Sequence, residues 1–265
     1  MYFMGIDIGS LSCDAVIIDR EGELLASSVV PTGARNQEAI ARVSSEVFAA
    51  SGLAQDDITS VVSTGYGRDR VHNRSGAVTE ITCHARGIQA LLPGTRLLVD
   101  IGGQDSKAIF MDQKGRVIDF AMNDKCAAGT GRFLEAMARA LQVDIDELAR
   151  LDRGSTGNLM LSSMCTVFAE SEVVSLIAEG KEVCEIVAGL NRAIASRTAA
   201  LVKRVAPDHN QDMPVAMSGG VARNHGVVRA LSATLTAPVN VPDKPDIVGA
   251  LGAALIARER ALQTA

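Results

Sequence analysis

One phrase of this sequence occurs twice. Residues 6–22, IDIGSLSCDAVIIDREG, align without a gap to residues 99–115, VDIGGQDSKAIFMDQKG, at an offset of 93 positions. Asp7 falls on Asp100, Ile8 on Ile101, Gly9 on Gly102, Asp19 on Asp112 and Gly22 on Gly115. Each copy predicts a strand ending in Asp-x-Gly, a tight turn and a second apolar strand. An Asp-x-x-Gly hairpin then returns into a third strand, over 23–29 in the first copy and 117–122 in the second. A lone Asp-x-Gly between apolar residues is common, but two in register predict two halves of like fold.

Helix and strand patterns alternate through the remainder. Ile40, Val43 and Val47 repeat at helical spacing within 36–50, and Gly52 closes that helix. A strand is expected over 58–63, followed by the turn Thr64-Gly65-Tyr66-Gly67-Arg68. Helices are expected over 130–142, 166–178 and 186–205, then a strand over 215–217, a helix from about Ala222, a strand over 239–241 and a last apolar helix from Ile247. Helices between strands mean α/β lobes rather than a β-sandwich. The expected organisation is an N-terminal lobe over 1–94, on which a helix at about 247–265 packs back, and a C-terminal lobe over 95–246. No Pro- or Ser-rich linker parts the halves, so a shared cleft is expected.

At 265 residues the chain is long enough for two such lobes. Its net charge of −5, scattered basic residues and 3% aromatics argue against a nucleic-acid partner. Neither a signal peptide nor an apolar run of about 18 residues is present, so no membrane association and a cytoplasmic location are expected. Five cysteines are an odd number for a disulfide framework, and in a reducing compartment they are candidates for metal ligation instead.

An Asp-x-Gly turn at a strand end offers a nucleoside triphosphate backbone N–H groups for its phosphates and a carboxylate for Mg²⁺ or for the attacking water. On this reading Gly9, Ser10, Leu11 and Ser12 line one phosphate loop, and Gly102, Gly103 and Gln104 line the other. Asp7 and Asp100 handle the metal or the water, with Gln104 a third catalytic candidate. Ser218, Gly219 and Gly220, between a strand and a helix, suit ribose or adenine. Asp105 and Lys107 either touch phosphate or are solvated turn residues. The alternative for all these motifs is that they are plain hairpin and strand–helix turns.

On these motifs the chain resembles the actin-like and sugar-kinase ATPases, built of two ribonuclease-H-like lobes around ATP. The likeness covers a first phosphate loop (7–12), a second (100–107) and an adenosine loop (217–224). Within that superfamily TGYGR at 64–68, VDIGGQDSKAI at 99–109, MNDKCAAGTGRFLE at 122–135 and SMCTVFAESE at 163–172 are similar to the activator, or component A, of 2-hydroxyacyl-CoA dehydratases and to the ATPase subunits of benzoyl-CoA reductase. One departure stands out: the family's first loop often carries Lys where this chain has Asp14, whereas the second loop keeps Lys107.

Cys126 and Cys165 each precede a predicted helix, with 38 residues between them. A helix N-terminus and nearby glycines, here Gly129 and Gly131, favour an anionic thiolate ligand. Two cysteines are half of what a [4Fe–4S] cluster commonly needs, so the count closes if two identical chains share one cluster across a twofold axis. The resemblance implies the same homodimer. A Cys₄ zinc site would use the same geometry. Cys13, Cys83 and Cys184 are read as core residues, and His72, His209 and His225 as surface residues. Glu170 either faces the nucleotide or is a plain helix charge, and Glu172 lies near it. The resemblance implies an oxygen-sensitive ATPase that takes an electron from flavodoxin or ferredoxin. It passes the electron to an iron–sulfur dehydratase or reductase, with ATP hydrolysis changing the angle between the lobes. The competing reading is a small-molecule kinase of the same fold without a cluster.

Overall fold

The computed structural model describes residues 1–153, 155, 157–161, 165–208 and 212–263. The chain begins with β1 (Tyr2–Ile8), β2 (Ser12–Ile18), β3 (Leu24–Pro31), α1 (Asn36–Ser51), β4 (Ile58–Thr64), β5 (Gly76–Ala77) and α2 (Glu80–Leu91). It continues with β6 (Leu97–Ile101), β7 (Ser106–Met111), β8 (Val117–Asn123), α3 (Gly131–Leu141), α4 (Ile145–Leu151), α5 (Thr166–Ala178) and α6 (Val183–Val205). Last come β9 (Val215–Ser218), α7 (His225–Leu235), β10 (Val239–Asn240) and α8 (Val248–Gln263). Two compact units result: residues 1–95, 111–118 and those from 242 on form the first, and 96–110 with 119–241 the second.

Each unit holds one five-stranded sheet, ordered β3-β2-β1-β4-β5 in the first and β8-β7-β6-β9-β10 in the second. In both, the Asp-x-Gly strand pairs antiparallel with the next strand and parallel with a later one, β1 with β4 and β6 with β9. The repeat is therefore a repeat of topology, and the α/β class expected from it holds.

In the first unit β1 is buried on both faces, as a central strand covered by helices must be. Its residues alternate: Met4, Ile6 and Ile8 join Val43 and Val47 of α1 in one core, while Phe3 joins Val62, Cys83 and α8 in another. Gly5 lies on the second face, where a Cβ would stand 1.9 Å from the Ala250 carbonyl oxygen, so the missing side chain lets α8 lie against the strand. Asp7, two residues on, points to that same α2/α8 side. In the second unit Leu97, Val99 and Ile101 of β6 meet α3, α6 and α7 in a large core.

Several boundaries differ from the sequence-based expectation. The helix expected from about Ala222 is a 3₁₀ turn, Gly220–Arg223, followed by α7, whose N-terminal N–H groups at Gly226 and Val227 donate to the Asn224 side chain. Two helices were not foreseen. In α2, Thr82 and Gly87 interrupt the apolar rhythm, and α4 has only seven residues. Ser163, Met164, His209 and the last two residues of the expected C-terminal helix lie outside the described residues.

Candidate functional site

In the first unit β1 ends at Ile8 and the loop Gly9-Ser10-Leu11-Ser12 closes on itself, the Gly9 N–H donating to the Ser12 carbonyl at 2.9 Å. Buried Thr32 pins this loop: its hydroxyl donates to the Gly9 carbonyl at 2.9 Å and its N–H to the Leu11 carbonyl at 2.8 Å. All four loop residues are half-buried, whereas Asp7 is buried. Asp7 lies across from Asp14 on β2 and Thr64 on β4, and Asp14 accepts a 3.2 Å bond from the Ser12 hydroxyl. Gly65 follows Thr64 at φ +82°, where a Cβ would meet the Asp7 Oδ1 at 2.3 Å and the Ile8 carbonyl oxygen at 2.5 Å. His84 of α2 brings Nε2 to 3.7 Å from Asp7 Oδ2.

The second unit repeats this arrangement with a different charge. The Gly102 N–H donates to the Asp105 carbonyl at 3.0 Å, closing the loop that contains Gly103 and Gln104, and Gln104 is exposed. Asp100 lies across from Lys107 on β7 and Ser218 on β9. Lys107 Nζ stands 3.1 Å from Asp100 Oδ2 and 2.6 Å from Asp105 Oδ2, all three side chains being at most 6% exposed. The Ser218 hydroxyl donates to Asp100 Oδ1 at 2.8 Å. Gly219 at φ +83° then passes over the Ile101 carbonyl as Gly65 passes over that of Ile8; Gly219 is buried and Gly220 exposed. Asp105 and Lys107 are therefore not solvated turn residues; they form a buried ion triad with Asp100. At an offset of 93, Lys107 corresponds to Asp14, so the two loops are alike in backbone and opposite in charge at that position.

The second loop is also tied to the Cys126 segment. The Gly131 N–H donates to the Gly102 carbonyl and the Arg132 N–H to the Gly103 carbonyl, both at 2.9 Å. These are the first N–H groups of α3, which the helix itself leaves without acceptors. The Gly131 N–H expected to face an anionic ligand is thus engaged with the loop. Cys126 does not open a helix either. Gly129 at φ +87° holds residues 127–130 in a turn, in which the Thr130 N–H and hydroxyl both donate to the Ala127 carbonyl. Cys165, by contrast, is the N-cap residue of α5.

Burial sorts the cysteines. Cys126 and Cys165 are exposed, Cys184 is half-buried, and Cys13 and Cys83 are fully buried. Loss of water pushes both buried thiols up to about 12, so neither ionises in the folded chain at neutral pH. Burial lowers Arg197 of α6, while Cys126 and Cys165 act on it in the opposite sense; its side chain lies beside Gly129 and over the Phe133 ring, 5.8 Å from the centroid. Among the described residues no three His, Cys, Asp or Glu side chains converge. Glu170 is exposed and Glu172 half-buried on α5, and His72 and His225 are exposed.

A model of the BadF/BadG/BcrA/BcrD ATPase family matches residues 4–257. The chain belongs to that family. Within the BadF/BadG/BcrA/BcrD group it is 46% identical to the activator of lactoyl-CoA dehydratase of Anaerotignum propionicum, over 98% of this chain and 99% of that one. The solved activator of the 2-hydroxyisocaproyl-CoA dehydratase from Clostridium difficile, with bound ADPNP, matches with a TM-score of 0.93 and 44% identity, over 100% of this chain and 97% of that one. A ROK hexokinase from Thermus thermophilus, 18% identical, shares the fold at a TM-score of 0.54 over 99% of this chain and all of that one. The expected resemblance and fold class therefore hold. In the sequence His84 reads only as an unsupported metal pair with Cys83, since adjacent residues on an element point in different directions; its place beside Asp7 exists only in three dimensions.

Proposed function

We propose that this chain is an ATP-hydrolysing activator that delivers a low-potential electron to a 2-hydroxyacyl-CoA dehydratase or a related acyl-CoA reductase. The observation that carries the proposal is the double backbone tie from Gly102 and Gly103 to Gly131 and Arg132. It joins a glycine loop suited to phosphate with the segment bearing an exposed cysteine, within one unit.

On this reading the loops Gly9–Ser12 and Gly102–Asp105, closed by the Gly9 and Gly102 N–H groups, present the N–H groups of their other residues to phosphate oxygens, and Ser218, Gly219 and Gly220 border the ribose or adenine. Lys107 balances the charge of Asp100 and Asp105 beneath the second loop. Asp7 and Asp100 hold Mg²⁺ directly or through water, or orient the attacking water, and Gln104 assists. Cys126 and Cys165 fit a shared [4Fe–4S] cluster by their chemistry: both are exposed thiols, open to a ligand from outside the chain. When bound, the cluster supplies a one-electron carrier, and Mg²⁺ neutralises phosphate charge during in-line attack by water.

Two thiols per chain call for a second copy. Supporting that copy, α5 leaves Val167, Val174 and Ile177 exposed on one face, with Phe168 beside them, directly after Cys165. The domains are read as 1–94 with the last helix and 95–246. The electron donor is read as a flavodoxin or ferredoxin and the compartment as the cytoplasm; among the described residues no helix is long and apolar enough to cross a membrane. Anaerobic purification tests the whole reading: a brown dimer with about four irons that bleaches in air is expected. A colourless chain, or one loaded with zinc, overturns it. Cys126→Ala should lose the colour and keep ADP binding.

A further inference from the structure

The Asp7 carboxylate sits in a socket with three walls from three elements. Behind Oδ1 is Gly65, whose missing side chain would otherwise lie 2.3 Å away. Behind Oδ2 is Gly249 at the start of α8, where a Cβ would come within 2.0 Å of the same oxygen and 2.9 Å of His84 Nε2. The third wall is His84 itself, on α2, 6% exposed and 3.7 Å from Oδ2. Glycine at 249 thus makes the space in which imidazole and carboxylate meet.

Comparison of the two repeats sharpens what this contact is for. Asp100 receives a cation from the neighbouring strand, Lys107, at 3.1 Å. The equivalent position beside Asp7 is Asp14, an acid. A group able to donate to Asp7 comes instead from a helix on the other side of the carboxylate. An aspartate that must meet a metal–nucleotide or a water in one orientation gains from a fixed rotamer, and a buried donor on its second oxygen supplies that. At 3.7 Å the contact is longer than a hydrogen bond, and contacts of this kind often tighten when a site takes up its substrate.

We propose that His84 is the positioning residue of Asp7, holding its carboxylate in the orientation that serves the nucleotide. The proposal deepens the ATPase reading above and rests on it. In steady-state assays on the full-length chain, His84→Leu should lower kcat for ATP about 10-fold to 100-fold, with KM for magnesium-ATP little changed. His84→Gln, whose side-chain amide can donate to the same oxygen, should recover most of the loss. Gly249→Ala, whose methyl would stand 2.0 Å from Oδ2 and 2.9 Å from His84 Nε2 and so drive the pair apart, should reproduce the kcat loss. Wild-type kcat in folded His84→Leu, or equal losses in the Leu and Gln variants, overturns the proposal. Should the Leu variant not fold, the Gln and Gly249→Ala pair carries the same comparison.

A second measurement does not depend on turnover. In a double-variant cycle of Asp7→Asn and His84→Leu, the urea midpoint of the double variant should differ from the sum of the single shifts. Additive midpoints overturn the pairing even if the chain hydrolyses ATP. Non-additive midpoints in a chain that hydrolyses no ATP would instead sink the ATPase reading and leave the Asp7–His84 pair standing.

Discussion

Lys107 shows what one residue decides here. It is 3% exposed and bridges two carboxylates that are equally enclosed, so its removal leaves both without their shared cation. Breaking a buried pair in this way costs about 3–5 kcal/mol, because the charge left behind is neither solvated nor paired. Lys107→Met should therefore lower the urea-unfolding free energy by that amount. The buried thiols give a second expectation. In Cys13 and Cys83 the folded state keeps its proton up to about 12, while the unfolded thiol releases it near 9. The unfolded state then binds fewer protons, so stability contributed by these thiols is full below pH 9 and is lost as pH rises from 9 toward 12. Denaturation series at pH 8 and pH 11 check the sign. Iodoacetamide on the native metal-free chain, read by mass spectrometry, should label Cys126 and Cys165 and reach Cys13 and Cys83 only in denaturant.

Among the elements, α2 and α8 lie close because two glycines remove the side chains between backbones. A Cβ at Gly87 would stand 2.0 Å from the Val248 carbonyl oxygen, and one at Gly252 only 1.7 Å from that of Cys83. Neither obstacle is a flexible side-chain tip, so the helices themselves must part. Gly252→Ala is expected to cost about 1–3 kcal/mol or more in chemical unfolding, and to reduce ATP turnover as well, because α2 carries His84. The strand-turn elements were legible in advance: Asp-x-Gly followed by a hairpin is a local pattern, and both copies of it form as read. The match of Thr64-Gly65 with Ser218-Gly219 was not legible, because the chain between the repeat and this fourth strand differs in length between the two units. Only the sheet brings the two pairs to equivalent places beside Asp7 and Asp100.

For the whole molecule, the proposed cluster asks for two chains, and the exposed apolar face of α5 is the surface whose charge reversal should separate them. Val174→Glu, with Val174 54% exposed and making little internal packing, should leave the fold intact. It should convert the dimer to monomer in sedimentation velocity, with loss of the brown colour, because each monomer then holds only half of the ligands. A dimer that persists with its colour would show that another face joins the copies.

The sequence by itself determined the repeated α/β topology, the two glycine loops and the pair of separated cysteines, since all three are written as local patterns of residue type and spacing. Tertiary structure alone decided the company each acid keeps: Lys107 and Ser218 around Asp100, His84 and two glycines around Asp7. It also moved Cys126 off the helix start, because Gly129 in a left-handed turn and the Gly102 and Gly103 carbonyls settle where α3 begins. Such contacts join positions up to 242 residues apart, from Asp7 to Gly249. They follow from how strands pair and helices pack, to which no local spacing rule has access.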